Sequence, residues 1–308
     1  MNRPDTTNRP GPASGALDTA YAVGWAVAKR MPEPVARAIF AQVGDLIWRQ
    51  HGSGVRRLES NLSRARPDLD DVGIRQLSRA AMRSYLRYWC EAFRLPVWSR
   101  DDVLTRISAE NEQALRGAHA AGDGVVIALP HMANWDLAGA WACLTGMPLT
   151  TVAEHLEPER LFERFLDYRR SLGMEVLSAT GGASTFRTLV ERARAGRLIA
   201  LVADRDLSAS GVEVELLGQP ARMPAGPAAI ARSTGAVLLP ATLHYTEHGM
   251  RIWLHEPVEP VPGAQGLQQM TQSLADAFSR GIAIDPQDWH MLQRVFAADV
   301  GQRPRGGR

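Results

Sequence analysis

The sequence predicts an α/β protein: a central mixed, mostly parallel sheet flanked by helices, with a helical region ahead of it. Three observations carry this. From residue 103 onward, short apolar runs alternate with helical patterns, as expected of strands joined by crossover helices. The first hundred residues show only helical spacing. No repeat, heptad or Gly-rich linker divides the 308 residues. One domain over 17–308 is therefore expected, helical to about 100 and α/β over 101–297.

Residues 1–16, rich in Pro and Asn, read as a disordered tail. Leu17, Tyr21, Trp25 and Ala28 share one face of a helix over 17–30. The apolar stretch Ala20 to Ala28 ends in Lys29-Arg30, but the long tail before it carries Asp5 and Asp18 and does not read as a signal peptide. Pro34 opens a second helix, with Ile39, Phe40, Val43, Leu46 and Ile47 at helical spacing and Gly52 beyond its end. Residues 54–65 form a short polar helix. A long one over 73–95, with Ile74, Leu77, Ala81, Tyr85, Tyr88 and Ala92 along it, is closed by Pro96. Strands are expected at 103–108, 124–130, 149–153, 174–177, 197–203, 211–217, 236–245 and 250–256. Helices are expected at 109–121, 134–146, 158–172, 184–195, 224–234 and 265–284, with a short one near 288–297.

Apolar residues make up 45% of the chain, enough for a sizeable core, and the net charge of +2 gives no general pull toward nucleic acid. Lys29 is the one lysine; arginine supplies the remaining positive charge. That is what a high-GC genome produces, and arginine also suits phosphate and carboxylate partners. Cys90 and Cys143 lie on separate predicted helices and form neither a metal-ligand spacing nor a disulfide framework, so a reducing compartment is expected. No apolar stretch reaches the ~20 residues that span a bilayer. The first two helices, with Trp25, Lys29 and Arg30 on one and Trp48 and Arg49 on the other, present either a core-packing stripe or an interfacial face for headgroups.

Chemistry concentrates where strands end. His131 and Asp136 follow the apolar run Val125 to Leu129, the imidazole at the strand end and the carboxylate in the first turn of the next helix. Open α/β sheets place their ligands at this edge. An imidazole can take a proton from a hydroxyl near neutral pH, and a carboxylate can hold its tautomer. Asp204 ends another buried run, Leu198 to Ala203; if the two strands are parallel neighbours, Asp204 and His131 emerge together. The alternative for Asp204-Arg205-Asp206 is a charged surface turn. Glu154 ends the strand Leu149 to Ala153, and Arg169 lies on the following helix; carboxylates and arginines suit hydroxyl-rich ligands. Arg222, close to a helix start with Pro224 and Pro227, reads either as an anion site or as an ordinary helix start. His244, His248 and His255 lack ligand spacing and read as structural or surface residues. There is no P-loop, G-x-S-x-G elbow or zinc spacing, and no metal is expected.

Together these segments resemble a known family. His131 and Asp136, with four residues between them, match the H-x4-D signature of glycerolipid and glycolipid acyltransferases. The surroundings of His131, the stretch from Asp204 to Val214, and Met223 to Ala228 resemble the lauroyl/myristoyl, lipid A biosynthesis-type acyltransferases. Tyr88-Trp89 through Pro96, Thr151 to Glu154, Phe165 to Arg169 and Asp288 to Gln293 resemble its phosphatidylinositol mannoside acyltransferase branch. The likeness runs from about residue 17 to residue 297.

The resemblance implies transfer of a long acyl chain from acyl-CoA, a co-substrate rather than a cofactor, to the 6-hydroxyl of a mannose on a phosphatidylinositol mannoside glycolipid. It places the enzyme peripherally, at the cytoplasmic face of the cell membrane. It makes His131 the base, supported by Asp136 and Asp204, and Glu154, Arg169 and Arg205 substrate contacts. The branch tends to carry Glu where this chain has Asp204. Either Asp204 or Asp136 orients the imidazole, and the oxyanion needs a backbone N–H or an arginine. Other readings of the same residues are an acyltransferase for a lipid A-type disaccharide, a thioesterase, and a lipid-binding protein without turnover.

Overall fold

The computed structural model describes residues 29–153, 159–206 and 211–300. The expected tail and most of the helix over 17–30, with Trp25, lie outside these; Lys29 and Arg30 are helical. Helix α1 (Glu33–Gln50) has Pro34 in its first turn and ends at His51, whose φ of 49° is left-handed. Helix α2 (Ser53–Ala65) follows at once. Helix α3 (Asp71–Arg94) is capped by Asp70, whose carboxylate accepts from the Gly73 N–H. These helices close on a small core of Val55, Leu58, Leu62, Ala81, Met82 and Leu86. Gly44 sits where α1 crosses α3: a Cβ there would lie 3.0 Å from the Met82 carbonyl oxygen. Beside it the buried Asp45 takes both Arg79 and Arg83.

The next elements are α4 (Arg100–Thr105), β1 (Ile107–Glu110), α5 (Gln113–Ala121), β2 (Val125–Leu129), α6 (Trp135–Leu144) and β3 (Leu149–Ala153). Then come α7 (Glu159–Ser171), β4 (Glu175–Ser178), α8 (Ala183–Arg194), β5 (Leu198–Val202), β6 (Val212–Leu216) and β7 (Gln219–Met223). The chain closes with α9 (Gly226–Thr234), β8 (Val237–Tyr245), β9 (Met250–Leu254), α10 (Gly266–Ile284) and the short α11 (Ala297–Val300).

Among the described residues, seven strands form one sheet in the order β1-β9-β8-β2-β5-β3-β4, and β6 pairs with β7 in a separate hairpin. Within the seven-stranded sheet the pairing is parallel except for β8 with β9, and the β6–β7 hairpin is antiparallel. The chain leaves β2 toward β3 on one side, while β8 takes up the place on its other side. The order therefore reverses at β2, and its C-terminal end is the edge where open α/β sheets place their ligands. Val125, Val126 and Ala128 on that strand are wholly buried. Burying a valine side chain contributes ~1.5–3 kcal/mol, which holds β2 at the centre of the sheet. Gly124 makes the entry: its φ is 72°, and a Cβ would fall 2.2 Å from the Ala193 carbonyl oxygen.

Several expected boundaries move. Residues 100–105 are helical and the first strand begins at Ile107, because Ser99 and Asp102 form a reciprocal helix cap. Helix α5 correspondingly starts at Gln113 and not at 109. The expected helix near 288–297 is instead a single 3-10 turn, Pro286–Asp288, an extended strap, and α11 beyond it. Trp48 does not face outward. Its indole N–H donates to Ser78 Oγ at 3.0 Å, and the Arg75 guanidinium lies 3.9 Å over its ring.

Candidate active site

Strand β2 ends because Pro130 has no N–H to continue the ladder. The chain then turns tightly, with the Met132 N–H donating to the Pro130 carbonyl at 2.7 Å. Ala133 adopts a φ of 43°. That left-handed position is strained for a residue with a Cβ, and such strain persists where neighbours over-determine the backbone. Asn134 then caps α6, its Oδ1 accepting from the Leu137 N–H at 3.0 Å while its Nδ2 donates to Glu91 at 3.0 Å. His131 is thus held on a short rigid loop between a central strand and a capped helix.

Strand β5 lies parallel to β2, as the two strand ends required. The Ala203 N–H donates to the Leu129 carbonyl at 2.8 Å, so the pairing carries Asp204 alongside the loop. Asp204 Oδ1 lies 2.5 Å from His131 Nδ1, and Oδ2 accepts from the His131 backbone N–H at 3.0 Å. Oδ2 also accepts from Trp289 Nε1 at 2.8 Å. Asp204 has no exposed surface. Burial pushes its carboxyl up; the His131 charge and the donors from His131 and Trp289 outweigh this and hold it below the usual carboxylate range. The His131 side chain keeps 24% exposure. Its Nδ1 is committed to Asp204, which leaves Nε2 as the nitrogen able to take a proton.

Asp136 does something else. Its Oδ1 accepts from Arg169 Nε at 2.7 Å and its Oδ2 from the Tyr88 hydroxyl at 3.0 Å. Burial and the Asp136 charge raise the Tyr88 phenol well above its ordinary value, so it remains a donor. Burial works against the charge on Arg169, and Asp136 outweighs it. Of the two carboxylates open to the sequence reading, Asp204 is the one placed on the imidazole; Asp136 is paired with Arg169. Arg205 follows Asp204 and is half-buried. Glu154 lies outside the described residues. Arg222 is committed to the Gly211 carbonyl, at 2.8 Å from one of its terminal nitrogens. His244 and His255 are buried on β8 and beyond β9, and His248 is exposed.

An apolar cavity starts beside the dyad. Trp135 lies edge-on to the His131 ring, with centroids 5.6 Å apart, and also lines the cavity. The floor is the sheet, with Leu129, Leu198, Ala200, Leu243 and Leu254; Ala138 and Trp141 of α6 cover it. Its polar lining is Thr151 and the mutually neutralised Asp136–Arg169 pair. A proton acceptor that meets the wall of an apolar cavity through Trp135 suits attack on a carbonyl that carries an apolar group.

Sequence reasoning missed the role of Trp289. The stretch Asp288 to Gln293 belonged to the resemblance, but no local pattern points from residue 289 to residue 204. It also missed Tyr88 as the partner of Asp136, since Tyr88 reads there as one position of an apolar stripe.

The phosphatidylinositol mannoside acyltransferase of Mycolicibacterium smegmatis (strain ATCC 700084 / mc(2)155) is 41% identical over 291 residues, 94% of each chain. Those of Mycobacterium tuberculosis strains CDC 1551 / Oshkosh and ATCC 25618 / H37Rv are each 42% identical over 294 residues, 94% of this chain and 92% of theirs. The model of the bacterial lipid A biosynthesis acyltransferases matches residues 13–298. Matched over almost its whole length by that model and 41–42% identical to these relatives, the chain belongs to the bacterial lipid A biosynthesis acyltransferase family.

Proposed function

We propose that this protein is a glycolipid acyltransferase that moves a long fatty acyl chain from acyl-CoA to the 6-hydroxyl of a mannose in a phosphatidylinositol mannoside. The observation that carries the reading is the His131–Asp204 dyad, joined through the Trp135 ring to the apolar cavity. The names of the relatives support the acceptor. His131 Nε2 takes the proton of the acceptor hydroxyl as its oxygen attacks the thioester carbonyl. Asp204 stabilises the imidazolium that forms. Collapse of the tetrahedral intermediate breaks the C–S bond, and the imidazolium returns its proton to the departing CoA thiolate.

The same reading places the enzyme peripherally at the cytoplasmic face of the membrane. No helix among the described residues is long and apolar enough to cross a bilayer. Helix α1 nevertheless exposes Val35, Ile39, Val43, Leu46 and Ile47 in one stripe. A contiguous exposed apolar stripe of this kind supports contact with an apolar partner surface.

The test offers radiolabelled palmitoyl-CoA with a panel of inositol-containing and lipid A-type glycolipids and identifies the acylated product by mass spectrometry. Acylation of the mannose, lost in His131→Ala by about 10²–10⁴ in rate, is the expected result. Thiol release that continues at full rate without glycolipid would replace the reading with a thioesterase. Acylation of the lipid A-type acceptor alone would replace the acceptor.

A further inference from the structure

One segment touches both members of the dyad. The strap after α10 forms a bridge between Trp289 and Met132, and the His290 N–H donates to the His131 carbonyl at 2.7 Å. On its other side the Ala133 N–H donates to the Asp288 carbonyl at 2.9 Å. The strap is itself anchored. Ser84 Oγ and the Tyr245 N–H each donate to the Asp288 carboxylate at 2.7 Å, and Asn61 Nδ2 donates to the Met291 carbonyl at 2.8 Å. From this fixed frame the wholly buried Trp289 reaches Asp204 Oδ2 with its indole N–H.

We propose that Trp289 is a positioning residue for the dyad: its N–H fixes the rotation of the Asp204 carboxylate, so that Oδ1 stays on His131 Nδ1. A carboxylate turns easily about its last bond, and the His131 backbone donor alone engages one side of Oδ2. Indole is a donor only, so it cannot rotate to accept and cannot mislead the carboxylate. Trp289 therefore sets the direction of Asp204 and, through it, the contact with His131 Nδ1. The kinetic consequence rests on the acyl-transfer reading; the effect on His131 does not.

The test places 3-benzothienylalanine at position 289 of the full chain, which keeps the bicyclic shape and replaces N–H by sulfur. Trp289→Phe is the second variant. The kcat is expected to fall by about 10- to 100-fold, the worth of one hydrogen bond to a charged group expressed as a rate. KM for acyl-CoA should stay unchanged. The acidic limb of the pH–kcat profile should move to lower pH, because a carboxylate free to turn away from Nδ1 stabilises the imidazolium less. The His131 titration, followed by NMR of ring-labelled histidine without any substrate, should move the same way. A uniform fall in kcat with the titration unmoved would reduce Trp289 to a packing residue and overturn the proposal. So would a kcat within twofold of the parent. If the parent acylates no glycolipid, the functional reading fails, while the NMR titration still decides the role of Trp289.

Discussion

Replacing Asp204 by Asn removes a charge while keeping the volume of a side chain with no exposed surface. The lost oxygen charge lies 2.5 Å from the ring nitrogen that it serves. With charge centres ~4 Å apart and an effective dielectric of ~20, the attraction to an imidazolium is about 4 kcal/mol. That is a factor of about 10³ in rate. A tautomer error adds to it. The His131 and Trp289 N–H groups both point at Oδ2 and will hold the asparagine carbonyl there. The asparagine NH₂ then faces Nδ1 and selects the imidazole with its proton on Nε2, the form that cannot act as base. The same replacement in the serine protease triad costs about 10⁴ in kcat. Asp204→Asn should therefore lose about 10³–10⁴ in kcat with KM for acyl-CoA unchanged. Thiol release followed with a chromogenic reagent, alongside circular dichroism to verify folding, measures both. A folded variant whose kcat lies within tenfold of the parent refutes the assignment and returns the orienting role to Asp136.

Arg169→Ala strands the buried Asp136 charge and should cost about 3–5 kcal/mol of stability; chemical denaturation reads it, and adding Asp136→Ala should restore part of the loss. Burial raises Asp288 to about 6 and lowers His290 to about 3, so the two respond to pH with opposite signs. In His290→Gln the Asp288 effect remains, and stability should fall as pH rises from about 4 to about 6, because the folded state there binds more protons than the unfolded chain. In Asp288→Asn the His290 effect remains, and stability should fall as pH drops below about 6.5; urea midpoints from pH 4 to 7 with parallel slopes would contradict this. Ile39→Glu with Leu46→Glu should leave the fold within about 0.5 kcal/mol of the parent, since both side chains are exposed. It should abolish flotation with anionic vesicles, and an undiminished float would place the membrane contact elsewhere.

The parts of the fold that could be read from the sequence are those written locally. The central strands β2 and β5 are continuous apolar runs with turn signals at both ends, and α3 and α10 are long enough for their period to show. The hairpin β6–β7 was half lost. Its two-residue turn puts Leu217 at a φ of 51° and Gly218 at 72°, and leucine gives no warning of a left-handed position. Pro220, inside β7, further hid that strand. His131 and Asp204 were legible as strand-end residues, whereas the choice between Asp204 and Asp136 was not. It depends on β5, and not β3, lying beside β2, which is a property of strand order. The strap was illegible because its bonds to residues 131, 133 and 204 are made at long range by an extended segment without a period of its own.

That long range has a consequence for synthesis. Trp289 joins the site 85 residues after Asp204. A chain emerging from the ribosome N-terminus first can pair β2 with β5 before the strap exists, but the loop bearing His131 is then held from one side only. Ala133 in particular lacks the Asp288 carbonyl that secures its strained turn. An unfinished chain therefore has the base and the carboxylate without their frame. The dyad gains its full set of donors only once the strap around Trp289 has been made.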